Sequence, residues 1–382
     1  MSDGLSIVMG AADARTETDG AFTSFDRTCM ARALALAERG LFTTTPNPRV
    51  GAVIARDGAT LGEGFHAHAG GPHAEIEAIA DAKARGHDVR GATLYVTLEP
   101  CNHHGRTPPC VDAIVAAGVA RVIAAMRDPN SAAAHGAERL RAAGIDVAFG
   151  LLESEARELN IGFVMRVTRG TPWVRVKIAT SLDGRTALAN GVSQWITGES
   201  ARADGHAWRA RACAILTGVG TVIADNPSLT VRAIDTTRQP LRVVIDRHGE
   251  TPPAARVFEG GNALMVTAGA RGASWPSTVE SLALPDADGR IDLPALMREL
   301  ARRGVNELHV EGGARLTGAL MAAGLVDEVL HYVAPRVIGD PARGMFEWAA
   351  PLASLDGAVP LAWQSIERIG GDVRIVARVV RG

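Results

Sequence analysis

Pro72-His73-Ala74-Glu75, with Pro100-Cys101 and Cys110 downstream, sets three good zinc ligands beside a carboxylate two residues from one of them. One imidazole and two thiolates leave the fourth position of a zinc ion open for water, which marks a catalytic rather than a structural site. Glu75 in that arrangement is not a ligand; it shuttles a proton between the water and a leaving group. The working assignment is therefore His73, Cys101 and Cys110 as metal ligands and Glu75 as the catalytic acid–base.

His-x-Glu followed by Pro-Cys is the pattern of zinc-dependent nucleobase deaminases. A structural zinc knuckle, with His103 or His104 as fourth ligand, is the alternative that the neighbouring His-x-Glu disfavours. The second cysteine lies nine positions after the first rather than three, so a long loop, Asn102 to Pro109, runs beside the metal. It carries His104 and Arg106, both suited to a phosphate or a polar heterocycle.

A chain of 382 residues suits two domains. Hydrophobic content of 47% with 21% charged residues is that of an ordinary globular protein, and the net charge of -2 argues against nucleic acid or a membrane surface as partner. No apolar run approaches the roughly 20 residues that span a bilayer, and the N-terminus lacks a secretory pattern. Cys29 and Cys213 read as small buried hydrophobes in a reducing cytoplasm.

Residues 1–24 are polar, small and aperiodic and read as a mobile extension. The pattern then predicts a helix from Phe25 to Gly40, capped by Ser24, with Met30, Leu34 and Ala37 inward. Asn47 between Pro46 and Pro48 is either a turn residue or a pre-set amide for a ligand. A strand over Val50–Ala55 follows, and His66 either touches substrate or is a polar loop residue. Pro72-His73 opens a helix with His73 and Glu75 in its first turn and Ile76, Ile79 and Ala80 as its buried stripe. Strands over Ala92–Leu98 and Arg121–Met126 flank a helix from Cys110. The second of them ends at Asp128, at the carboxyl end of a strand, where ligands bind in open α/β sheets. Alternation of strand and helix predicts a mixed three-layer α/β domain.

The pattern lapses over Gly162–Gly170, which places a domain boundary near residue 170. A strand from Trp173 to Ala179 begins the second half, and a helix carries His206 and Arg209. Two strands run into glycine turns at helix starts, Gly218-Val219-Gly220-Thr221 and Glu311-Gly312-Gly313, a phosphate-accepting geometry. The first is not a dinucleotide fingerprint, because Ile223 stands where its third glycine belongs. Residues from Asp246 to about 288 read as a variable Gly/Ala/Pro stretch, and the C-terminus as a hairpin.

From residue 25 to 382 the chain resembles the bifunctional riboflavin-biosynthesis deaminase/reductase family. The resemblance rests on Pro46-Asn47-Pro48-Arg49-Val50-Gly51, Gly70 to Glu75, Leu98-Glu99-Pro100-Cys101 through Cys110, and Lys177 with Ser181-Leu182-Asp183-Gly184-Arg185. It continues in Trp195-Ile196-Thr197-Gly198, Gly218 to Thr221 and Val310-Glu311-Gly312-Gly313. It implies a cytidine-deaminase-like domain at 25–170 and a dihydrofolate-reductase-like domain at 171–382. It further implies zinc-dependent deamination of a diamino-ribosylamino-pyrimidinone phosphate, then NADPH-dependent reduction of its ribose to a ribityl chain. Asn47, His66, His104, Arg106 and Asp128 would hold the pyrimidine. Ala179, Trp195, Thr197, Thr221, Asp225 and the segment Gly313, Ala314, Arg315, Leu316, Thr317, Gly318 and Ala319 would line the nicotinamide cofactor. Ser193, Arg209, Leu229, Arg232 and Glu311 would bind the second substrate, with Lys177 at the chemistry. A cytoplasmic homo-oligomer is the family expectation. Three positions depart from the family pattern: the Ser131–His135 loop, Asn226 in place of a second aspartate, and Glu77 in place of a histidine. Two other readings remain open here: a zinc deaminase of another class, and a non-catalytic zinc-stabilised binding protein.

Overall fold

The computed structural model describes residues 22–103, 108–131, 135–232, 234–269 and 275–381. They form two compact units that divide between Gly170 and Thr171. In the first unit, helix α1 (Ser24–Glu38) starts from a reciprocal cap. Thr23 Oγ1 accepts the Asp26 N–H at 3.1 Å, and the Asp26 carboxylate accepts the Thr23 N–H at 2.8 Å. The cap is therefore Thr23, not Ser24, because only Thr23 stands three positions before an acid able to reciprocate. The helix ends at Glu38, ahead of Gly40, which instead permits close packing: a Cβ there would lie 2.9 Å from the His66 carbonyl oxygen.

The unit continues with β1 (Gly51–Arg56), β2 (Ala59–Phe65), α2 (Ala74–Ala84), β3 (Thr93–Val96), α3 (Cys110–Ala117), β4 (Arg121–Ala124), α4 (Gly136–Ala142), β5 (Asp146–Phe149), α5 (Glu153–Leu159) and α6 (Ile161–Arg169). The sheet runs β2-β1-β3-β4-β5, antiparallel about β1 and parallel from β3 to β5. Successive strand residues face opposite sides. Ile54, Leu94 and Val122 meet Ala78, Ile114 and Leu140 of α2, α3 and α4, while Val53, Tyr95 and Ile123 meet Met30 and Leu34 of α1. Three layers result. The segment where the pattern lapses is α6, ended by left-handed Gly170.

Helix α2 departs from the predicted stripe. Ala74, Ala78 and Ala82 are its buried row, Ile76 and Ile79 are half-buried, and Ala80 is exposed. The reason lies in β2. A Cβ on Gly64 would sit 2.4 Å from the Ala78 nitrogen and 2.5 Å from the Ala74 carbonyl oxygen, and one on Gly62 would sit 2.3 Å from the Ala78 carbonyl oxygen. Glycine facing alanine lets helix and strand touch backbone to backbone, which no isoleucine row permits. Pro72 and His73 also precede the helix: His73 is its N-cap, in extended conformation.

The second unit contains β6 (Trp173–Ser181), β7 (Ala187–Leu188), α7 (Glu199–Arg211), β8 (Ala214–Gly218), α8 (Val219–Asp225), β9 (Leu241–Ile245), β10 (Ala263–Thr267), β11 (Glu280–Ala283), α9 (Leu293–Arg302), β12 (Glu307–Val310), α10 (Ala314–Ala322), β13 (Glu328–Ala334), β14 (Ala342–Arg343), β15 (Leu361–Ile369) and β16 (Asp372–Val379). Nine strands form one sheet, β11-β10-β9-β8-β12-β6-β13-β16-β15, parallel from β11 to β13 and closed by the antiparallel β15–β16 hairpin. The stretch read as variable supplies β10 and β11; β10 is a fully buried five-residue strand, too short for its periodicity to stand out from flanking glycines. Among the described residues, no helix is long and apolar enough to cross a membrane.

Candidate active sites

The first site forms where β3 and the start of α2 meet the long loop. His73, as N-cap of α2, turns Nδ1 toward both sulfurs, 3.1 Å from Cys110 Sγ and 3.5 Å from Cys101 Sγ. The three donor atoms lie within 4.8 Å of one another, a spacing that bonds of about 2.0–2.3 Å to one tetrahedral zinc span. The hydrogen bond from the Cys110 thiol holds Cys101 at about 4 against the opposing effect of burial, with further help from His73. Cys110 is pushed up by the same bond and by its burial. Two thiols facing one imidazole nitrogen form a donor set that a zinc ion would complete by displacing thiol protons. The residues fit the metal. Glu75, one turn-position into α2, is 4% exposed, and burial followed by the Cys101 charge raises its carboxyl to about 7.

His66 Nδ1 lies 2.8 Å from the Pro72 carbonyl, which can only accept, so Nε2 accepts from Asn47 Nδ2 at 3.0 Å. The His66 ring stands edge-on to His73 with centroids 5.4 Å apart, and burial lowers its pKa. Asn47 and His66 thus form one hydrogen-bonded wall beside the ligand triad. Asp128 follows β4. Its Oδ1 accepts the Asn130 N–H at 2.8 Å, and burial raises its carboxyl to about 6. His104 and Arg106 lie outside the described residues, as do residues 132–134 of the altered loop.

The second site gathers charges from distant parts of the chain. Arg209 on α7 grips Glu311, just past β12, with both its Nε and its Nη2, the latter at 2.8 Å from Oε2. His309 Nε2 lies 3.4 Å from Oε1 of the same carboxylate. Burial opposes the Glu311 charge, but Arg209, His309 and Lys177 together hold its carboxyl well below the usual range. Lys177 on β6 is half-buried, with Nζ 5.8 Å from the Tyr332 ring centroid. Its pKa is lowered by burial and by Arg209 against the pull of Glu311. Arg232 donates to Ser228 Oγ at 2.9 Å, and its backbone N–H donates to His206 Nδ1 at 3.3 Å. Burial, then Arg209 and Arg232, lower His206 to about 4. Two cations, Arg209 and Lys177, acting on one carboxylate leave a positive surplus suited to phosphate.

Adjacent strands β8 and β12 lead into α8 and α10, whose N-caps Gly218 and Gly313 make no side-chain cap bond. Two helix starts with backbone N–H groups unanswered by a side chain fit the pyrophosphate of a nicotinamide dinucleotide. Only the start of the 313–319 segment is so placed. Thr317 Oγ1 donates to the Met345 carbonyl at 2.7 Å, and Gly318 packs on Glu347, whose carbonyl oxygen would lie 2.0 Å from a Cβ. Leu316 packs over Gly312, Arg315 is exposed and pairs with Glu347 at 3.2 Å, and Ala319 is exposed. Leu229 is 2% exposed with Ile215 and Val222 around it, so any ligand contact it makes is through its backbone.

Trp195 is exposed with the Arg202 guanidinium 4.6 Å from its ring centroid. The Thr197 carbonyl accepts from Arg202 at 2.9 Å. Ser193 and Ala179 are half-buried, as is Thr221 on α8, which ends at exposed Asp225. Asn226 is explained by geometry: it caps α8 at φ 39°, a left-handed position that asparagine tolerates, and its Oδ1 accepts the Arg256 N–H at 2.8 Å. Glu77 stands in the acidic first turn of α2. Sequence reasoning gives His206 a helix but no role, and leaves Glu99, His309 and Tyr332 unassigned. The one available signal is an acid set within buried, apolar neighbours, as in Tyr95–Leu98 before Glu99.

Comparison with known proteins matches residues 23–126 to the cytidine and deoxycytidylate deaminase zinc-binding region and residues 172–375 to the RibD C-terminal domain. The chain thus combines a cytidine-deaminase-like domain with a dihydrofolate-reductase-like one, a zinc-dependent deaminase joined to an NADPH-dependent reductase. It is 47% identical to riboflavin biosynthesis protein RibD of Escherichia coli over 362 residues, covering 91% of this chain and 98% of that one. Identity to RibD of Haemophilus influenzae is 44%, covering 93% and 97%. The structure of Acinetobacter baumannii RibD superposes with a TM-score of 0.87 at 39% identity, covering 94% and 99%. The solved deaminase/reductase of Thermotoga maritima gives 0.85 at 37%, covering 93% and 99%. The chain belongs to the RibD family, the bifunctional deaminase/reductases of riboflavin biosynthesis. A deaminase of another class leaves the reductase half unexplained, and membership of this enzyme family disfavours a non-catalytic binding protein with a degenerate second domain.

Proposed function

We propose that the unit spanning 25–170 deaminates a diamino-ribosylamino-pyrimidinone phosphate and that 171–382 reduces the ribose of the product. The Thermotoga relative is described as a diaminohydroxyphosphoribosylaminopyrimidine deaminase and 5-amino-6-(5-phosphoribosylamino)uracil reductase. The observation that carries the proposal is the convergence of His73, Cys101 and Cys110 with Glu75 buried beside them. Those three residues would hold a zinc ion, which when bound would supply a water able to act as nucleophile near neutral pH.

Glu75 takes the proton from that water and delivers it to the departing amine, so that an amino group is exchanged for oxygen and ammonia leaves. Asn47 and His66 present the pyrimidine with fixed donors, since the Pro72 carbonyl sets the His66 tautomer. Asp128 receives a polar edge of the base. In the second unit Arg209 and Arg232 hold the substrate phosphate, and Glu311 keeps Arg209 in place. NADPH, when bound, would supply the hydride, and Lys177 would hold or move the proton of the reacting sugar. The near-neutral charge supports a small-molecule substrate rather than a nucleic-acid partner.

Mass spectrometry of the pyrimidine phosphate tests the assignment. Zinc-loaded protein alone exchanges one amino group for oxygen; adding NADPH brings a gain of two hydrogens. Hydride transfer to the undeaminated pyrimidine would reverse the proposed order.

A further inference from the structure

Glu99 takes no part in the chemistry described above, yet two segments of the deaminase site meet on it. It sits between β3 and the ligand Cys101 and is 5% exposed. Its Oε2 accepts the Asp128 backbone N–H at 3.3 Å and its Oε1 accepts the Ala137 backbone N–H at 3.1 Å, while its own N–H donates to the Met126 carbonyl at 3.0 Å. Ala137 opens the first turn of α4, so Glu99 answers an N–H that helix geometry leaves without a partner.

The start of α4 also presses on the ligand loop. A Cβ on Gly136 would fall 1.9 Å from the Pro100 carbonyl oxygen. Asn102 Nδ2 donates to the His135 carbonyl at 3.4 Å, and Asn102 Oδ1 accepts from Arg139 at 3.0 Å. The segment bearing Cys101, the loop bearing Asp128 and the start of α4 are therefore tied at one buried carboxylate. A carboxylate is the side chain whose two oxygens can each accept from a separate backbone donor without offering a hydrogen of its own.

We propose that Glu99 is a positioning residue of the deaminase: it fixes the backbone from which Asp128 reaches the pyrimidine, relative to the ligand Cys101. This rests on the roles given above to Cys101 and Asp128. Glu99→Gln keeps one accepting oxygen and turns an NH2 group toward the other N–H. The expected result is a rise of about tenfold in KM for the pyrimidine, the factor carried by loss of one charge-assisted hydrogen bond. With deamination expressed per bound zinc, kcat should stay within about twofold, and the reductase rate of the same chain should not change.

Because Glu99 acts through Asp128, the rise should disappear when Glu99→Gln is placed in an Asp128→Asn background, a coupling that general loosening of the fold would not give. Should Glu99→Gln fail to fold its unit, Glu99→Asp, which withdraws the carboxylate by one methylene, is expected to give the same coupled rise. An unchanged KM, or an equal rise in both backgrounds, overturns the proposal. A silent Asp128→Asn would sink the assignment of Asp128 together with this inference; a damaging Asp128→Asn beside a silent Glu99→Gln sinks the inference alone.

Discussion

The two active sites are assembled in opposite ways. In the deaminase unit His73 and Cys110, 37 positions apart, converge with Cys101 on a point where like-natured donors face each other. A cation bound among these donors completes the arrangement. In the reductase unit Arg209 and Glu311, 102 positions apart, already satisfy each other with two hydrogen bonds. The first site is unfinished without its ion, whereas the second is held closed by its own charges and depends on sheet topology to bring them together. Loss of one group should therefore empty the first site and unbalance the second.

The largest expected effect is that of His73→Ala, which should abolish deamination and bound zinc while the reductase rate persists. Metal analysis alongside ammonia release and NADPH oxidation checks it, and retained zinc would break the contrast. Glu75→Gln should cut deamination by roughly 10²–10⁴-fold with zinc still stoichiometric; loss of metal would contradict its role as a proton carrier.

In the other unit, Arg209→Ala leaves the half-buried Glu311 charge without its strongest partner and should destabilise that unit by about 2 kcal/mol, read from its thermal unfolding. The pair also has a pH signature. The Glu311 carboxyl is held well below its ordinary 4.5, so the stabilisation is fully present above that pH and fades as pH falls toward the folded value. Destabilisation on raising pH from 5 to 8 would count against the pair. Smallest is Thr23→Ala, which removes one arm of the α1 cap and should cost about 1 kcal/mol in the deaminase unit alone.

These contrasts also explain what the sequence discloses. The proposed zinc ligands are legible because coordination chemistry restricts both residue type and local order. Strands such as β9 are legible because burial imposes their composition. The row on α2 is not, since Ala74, Ala78 and Ala82 are buried by the absence of side chains on Gly62 and Gly64, a property of a partner strand rather than of the helix. Thr23 is missed in favour of Ser24 because either residue caps well and only the position of Asp26 separates them. The reductase residues enter through family resemblance, because no local pattern announces that Lys177, Arg209 and Glu311 will meet. Leu229 shows the limit of such transfer: its side chain belongs to the core.

The contact of α2 with β2 sets a mechanical tolerance for the chemistry. Ordinary helix–sheet packing passes through interlocking side chains, each of which can rotate to absorb a small displacement. Here Gly64 lies directly on the backbone of Ala74 and Ala78, and the same turn of helix carries His73 and Glu75. With no compliant layer between them, a single added methyl at the back of the helix would be transmitted almost undiminished to the atoms proposed to hold the metal and move the proton. The smallest side chains in this unit thereby act as its gauge blocks.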